Sequence, residues 1–415
     1  MDQQKLSDYA KLIIDVGLNI QEDEPLVITC PIEMREFGHL LAEHAYARKA
    51  GTVHVNWLDE TLTKLKYRHE KLEHFRNIAQ WRFEQKKYFC ESGANFLYIS
   101  AEDPELLKDM DPEKIQAYSK ASGEMFRPLQ HYTMNDILSW CVVAVANPAW
   151  AKKVFPEEKD TNIAVEKLWD AIFDATRMNT KNPLAFWEKH FATLEKRAEK
   201  LNRHAFRELH YQADNGTDLH VRLPKGHIWM AASSKNAKGT TFVPNMPTEE
   251  IFTLPERTGV NGTLVSTRPL SYNGQLIDRF RLRFEDGKVT EFSADVGESA
   301  LKGLLEEHEN AVYLGEVALV PHDSPISNSN ILFYNTLFDE NASCHFAFGA
   351  SYPTNLKDGA DMSDEELLDH GANVCPVHED FMVGCESLSI TGIHEDGTTQ
   401  PIFCNGNFDA SFDAE

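Results

Sequence analysis

Hydrophobic and polar positions in the first half of the chain alternate between two periods. "LVITCP" (26–31) is a short apolar run rich in β-branched residues. "MREFGHLLAEHAYARKAG" (34–51) follows with apolar residues at helical spacing and a closing glycine. "TVHVNW" (52–57) returns to strand character. A strand, a helix and a strand in this order predict a parallel pair, because parallel strands need a crossover of that length. "NFLYIS" (95–100) and "CVVAVANP" (141–148) each precede another helical stretch and repeat the theme. Two long helical segments, 161–178 and 183–203, close this half, with "NTKNP" (179–183) as a hinge between them.

The second half carries a different pattern. Asn215-Gly216, Asn261-Gly262, Asn273-Gly274, Asp286-Gly287 and Asp396-Gly397 read as tight hairpin turns. They separate alternating runs such as "RFRLRF" and "VTEFSA", and one helix, "ESALKGLLEEHE", interrupts them. The expected architecture is an α/β N-terminal domain with a mainly parallel sheet, residues 1–190. A β-rich α+β domain follows, residues 191–415. The length of 415 residues suits two cores better than one.

Charge and cysteine usage narrow the function classes. The formal net charge of −24 argues against nucleic acid or an anionic membrane as a partner, and suits metal ions or amine-bearing substrates. Acidity of this kind also serves solubility alone. The start, "MDQQKLSDYAKLIIDVGLNI", has no secretory signal pattern, and no apolar run reaches the roughly 18 residues of a membrane span. The seven cysteines are scattered without a C-x-x-C pair, so neither a disulfide framework nor a redox motif is expected. These features point to the cytoplasm. No G-x-G-x-x-G or P-loop follows a strand of the first half, which therefore reads as scaffold rather than nucleotide site.

The candidate chemistry lies in four stretches of the second half. "VYLGEVALVP" sets Glu316 inside an apolar strand, where a lone carboxylate costs several kcal/mol unless paired or metal-bound. "CPVHEDFMVG" sets His378 and Asp380 two apart, on one side of an extended chain. "NMPTEEIFTLP" holds Glu249 and Glu250 between prolines, and "FDENASCHFAFGASYP" holds Glu340, His345 and Tyr352. Each alone has a plain alternative: an edge-strand acid, a core histidine, a turn cap, a core tyrosine. Taken together, carboxylates and imidazoles in one domain suit a pair of divalent ions.

The chain resembles the aminopeptidase T/aminopeptidase S (PepS) family of dinuclear metallo-aminopeptidases. The resemblance spans essentially the whole sequence and is most specific in "MPTEEIFT", "LGEVALV", "ILFYNTLFDENASCHFAFGASYP" and "VHEDFMVG". It implies Glu250, Glu316, Glu340, His345, His378 and Asp380 as metal ligands, with Glu316 bridging two ions. It implies Tyr352 as a catalytic residue beside the scissile carbonyl. It further implies a homodimer that removes N-terminal residues from peptides with a free N-terminus, by attack of a metal-bridging water or hydroxide. Zinc, cobalt, manganese and magnesium all tolerate such ligands. Glu249 either pairs the substrate ammonium or simply faces solvent.

Two other readings use the same residues. Cys375-x-x-His378 with Cys344 or Cys385 is part of a structural zinc set, although this leaves Glu316 unexplained. A metal-free peptide-binding protein would use the first half instead.

Overall fold

The computed structural model describes residues 2–414. The chain forms two compact units, Met1–His190 with Ala232–Thr248, and Phe191–Ala231 with Glu249–Glu415. The first unit is built on a five-stranded parallel sheet. Its strands run in the order Val53–Leu58, Leu26–Pro31, Asn95–Ser100, Trp140–Ala144 and Asn245–Met246. The helix Arg35–Ala47 makes the first crossover and buries Phe37, Leu41 and Ala45. The strand Leu26–Pro31 is almost continuously buried, as a sheet strand covered on both faces requires, whereas Asn95–Ser100 alternates and leaves Tyr98 exposed. The two long helical segments are observed as Thr161–Ala175 and Pro183–His204, the second starting on a proline whose missing N–H costs nothing there.

The second unit contains two antiparallel sheets. A nine-stranded sheet includes the hairpin Glu208–Gln212/Asp218–Arg222, turned at Asn215-Gly216. A four-stranded sheet runs in the order Ile251–Thr253, Leu314–Leu319, His345–Gly349 and His378–Met382. The α/β and β-rich architectures therefore match the expectation. The turns at Asn273-Gly274, Asp286-Gly287 and Asp396-Gly397 join successive strands as expected.

Asn261-Gly262 does not turn. It lies within the strand Val260–Val265; Gly262 takes φ +124°, and a Cβ there would meet Asp218 O at 2.2 Å. Its glycine serves close backbone approach rather than a hairpin.

Candidate metal centre

The four-stranded sheet gathers the predicted acids and imidazoles on one face. In its register, Ala347 lies opposite both Glu316 and Asp380, Ala318 opposite His345, and Gly349 opposite His378. Residues opposite one another share a face, so the central strand presents only His345, Ala347 and Gly349 there. The small side chains leave room for the flanking strands' acids to converge. The other face carries Phe346, Phe348 and Phe381, whose stacked rings form core.

Gly315 is what aims Glu316. The pairing shifts between Leu314 and Glu316, leaving Gly315 as the extra residue of a bulge. A Cβ on Gly315 would lie 2.1 Å from Ala350 O, so only glycine fits.

Glu316 sits at the middle of the group. Its Oε1 lies 3.5 Å from His345 Nε2 and its Oε2 lies 3.5 Å from His378 Nε2. Glu250 Oε2 is 3.2 Å from His345 Nε2, and Asp380 Oδ1 is 3.6 Å from His378 Nε2. Two triads result, each with ligand atoms within 4.8 Å of one another: Glu250, Glu316, His345 and Glu316, His378, Asp380. Glu340 is buried beside them, and its Oε1 accepts from Asn341 Nδ2 at 3.3 Å. Tyr352 lies edge-on to the His378 ring, with centroids 5.0 Å apart. The structure thus brings all seven predicted residues into one neighbourhood.

Both imidazoles are oriented from behind by backbone. His345 Nδ1 lies 3.0 Å from Glu340 O and 3.2 Å from Ser343 O, and His378 Nδ1 lies 2.7 Å from Ala350 O. A carbonyl only accepts, so Nδ1 carries the proton and Nε2 faces the acids in each ring. These anchors have no signature in the sequence, since any residue supplies a carbonyl. Asn341 was also missed. Its Oδ1 accepts from Glu249 N at 2.7 Å, tying the loop of Glu250 to the turn of Glu340. Its place directly after Glu340 was the one available hint. Glu249 itself is buried, 6% exposed, which corrects its expected exposure to solvent.

Electrostatics show a strained cluster. Burial, with Asp380 and Glu250 adding repulsion, pushes the Glu340 carboxyl well above the usual range. Burial likewise raises Asp380 to about 6, against the pull of His378. Burial alone would raise Glu316, but the His345 and His378 imidazoles outweigh it and hold that carboxyl at about 2. The Tyr352 hydroxyl is pushed well up by burial and by the surrounding carboxylates, so it keeps its proton.

Two buried atoms, His345 Nε2 and Asp380 Oδ1, have no hydrogen-bond partner among the described residues, although acids and imidazoles crowd around them. Groups at this spacing that do not align on one another fit a shared cation between them. The thiols take no part: Cys375 Sγ lies 3.7 Å from His308 Nδ1, and Cys344 Sγ bonds the backbone of Val320. Among the described residues, no group of three close ligand atoms includes a cysteine, so the structural zinc set on Cys375 and His378 is not assembled.

Acids and imidazoles gathered in this way on a β-rich unit define a candidate metal centre. Residues 2–408 match the family described as thermophilic metalloprotease (M29), and the chain belongs to that family. It is 45% identical over 405 residues to aminopeptidase AmpS of Bacillus subtilis (strain 168), covering 98% of each chain. It is 43% identical to aminopeptidase 2 of Geobacillus stearothermophilus, again over 98% of each. The solved structure of wild-type AmpT from Thermus thermophilus superposes with a TM-score of 0.89 at 37% identity, covering 98% of this chain and 99% of that one. Among the described residues, no helix is long and apolar enough to cross a membrane.

Proposed function

We propose that this metallo-aminopeptidase works with two divalent ions, zinc, cobalt, manganese or magnesium, in its β-rich unit. Glu250, Glu316 and His345 would hold one ion, and Glu316, His378 and Asp380 the other, with Glu340 completing the set. The observation that carries this reading is that Glu316 belongs to both triads, one oxygen toward each imidazole. Charge supports it as well. Four ionised carboxylates carry about −4, which two dications balance, whereas the ion-free cluster must hold extra protons instead.

When bound, the ions supply Lewis acidity, polarising the N-terminal peptide carbonyl and activating the attacking water. The chain's own groups do the rest. The Nδ1 anchors on Ala350, Glu340 and Ser343 fix both imidazoles before substrate arrives. Tyr352, protonated at neutral pH, donates a hydrogen bond to the oxygen that gains charge as the carbonyl is attacked. The substrates are peptides with a free N-terminus. The enzyme acts as a homodimer, a reading supported by the family resemblance, and in the cytoplasm, a reading supported by seven scattered cysteines without a C-x-x-C pair.

Dialysis against a chelator, followed by readdition of divalent ions, tests the metal requirement. Hydrolysis of short peptides should vanish and then return. Full activity in a sample verified as metal-free overturns it. A peptide with a free N-terminus should lose residues one at a time while its N-acetylated twin resists. Equal cleavage of the two would exclude an aminopeptidase.

A further inference from the structure

The hairpin Glu208–Gln212/Asp218–Arg222 has two faces. Leu209, Tyr211, Leu219 and Val221 point inward and are fully buried. Tyr211 packs on Phe346, on the strand that begins with His345. Glu208, His210, Asp218 and His220 point outward.

His210 and His220 are directly opposite across the two strands, and their rings lie nearly parallel with centroids 4.0 Å apart. His210 Nε2 is 2.7 Å from Asp218 Oδ1, and His220 Nδ1 is 2.7 Å from Glu208 Oε1. The remaining nitrogens, His210 Nδ1 and His220 Nε2, have no protein partner among the described residues. The next residues in the same row are uncharged, Thr391 beside His210 and Asn261 beside His220. Arg222, opposite Glu208, turns its guanidinium to Glu256 Oε1 at 3.1 Å.

We propose that His210, Asp218 and His220 form a second divalent-metal site, for a borderline ion such as zinc or copper(II), with Glu208 orienting His220 from behind. One ligand atom from each of the three already lies within 4.8 Å of the others. Ligands of a tetrahedral zinc stand about 3–3.5 Å apart, given bonds of about 2 Å. Exposed side chains cover the difference by small rotations, and the sheet fixes their backbones.

Stacked imidazoles beside two carboxylates offer a cation mixed nitrogen and oxygen ligands, and imidazole selects zinc and copper over magnesium or calcium. A carboxylate behind a ligating imidazole is the usual outer partner of such sites. The ion would cross-link the two strands on the face opposite Tyr211. This site stands whether or not the buried cluster holds metal.

Zinc itself is the probe, in equilibrium dialysis of the full-length protein with metal counted per chain. The wild type should bind one zinc more than H210T/H220T, and zinc should raise its Tm by a few degrees more than it raises the variant's. E316Q, which disturbs the buried cluster, should keep that extra ion. D218N removes one exposed ligand without touching the core and should weaken it by tenfold or more. If H210T/H220T does not fold, D218N alone carries the test. Equal zinc counts in wild type and folded H210T/H220T overturn the proposal, as does unchanged affinity in D218N.

Discussion

At the scale of single residues, Glu316 is the pivot. A lone buried carboxylate would be relieved by a neutral amide, but Glu316 lies 3.5 Å from each of two imidazoles. Glu316→Gln should therefore lower activity by orders of magnitude, lose metal, and also destabilise the metal-free protein, by about 1–3 kcal/mol. Metal analysis with denaturant unfolding of the apo form checks this; retained ions with near-normal turnover would remove Glu316 from the mechanism. Tyr352→Phe is the companion change. It should keep the metal content and lower kcat by roughly 10²–10³, the ordinary worth of one oxyanion donor. Glu316 and the His378–Asp380 pair were legible in the sequence because a charge in an apolar run and a two-residue spacing both have physical meaning. Ala347 and Gly349 were not, since small residues in "HFAFGA" read simply as core.

At the scale of elements, the bulge at Gly315 links backbone geometry to the site. Gly315→Ala must push the strand off Ala350 O, where a Cβ would sit at 2.1 Å. Overpacking of this kind costs about 1–3 kcal/mol. The same shift displaces Glu316, so activity should fall further than stability, a split that kinetics and thermal unfolding on one sample would reveal.

A pH effect belongs to the loop before Trp140–Ala144. Asp136, at φ +50°, has its carboxyl pushed up to about 6 by burial, against the opposing pull of Ser234 and Trp140. Between the ordinary aspartate value of 3.8 and about 6 the folded state binds more protons than the unfolded one, so stability falls as pH rises through that window. Asp136→Asn, tolerant of the same backbone, should flatten this slope and stabilise the protein at pH 7 by at most about 3 kcal/mol. Unfolding at pH 4 and pH 7 measures it; an unchanged slope would reject the assignment.

At the scale of the whole molecule, the architecture was legible because helical and strand periods separate the two halves so clearly. The strand Asn245–Met246 was not, for two residues leave no period to read. Asn261-Gly262 misled because a turn dipeptide and a close-approach glycine are identical as letters. The proposed homodimer rests on the family resemblance. Light scattering should give about twice the 47.2 kDa of one chain, and a monomeric mass would contradict the homodimer.

The first unit is closed by a strand that is made late. Trp140–Ala144 receives its last parallel neighbour only from Asn245–Met246, after the chain has already left that unit at His190 and returned at Ala232. On a ribosome, the N-terminal sheet stays incomplete while residues 191–248 are added. At about 5–20 residues per second that interval lasts roughly 3–12 s. Val142 N, which bonds Pro244 O in the finished protein, waits unpaired on an open edge throughout. A fragment ending at residue 190 would keep that edge open permanently, and such an edge is a template for aggregation. A cut after Thr248 closes that edge but strands the hairpin Glu208–Gln212/Asp218–Arg222 without its neighbours Val260–Val265 and Ser389–Ile393, so expression in two pieces should fail at either point and the chain should be made whole.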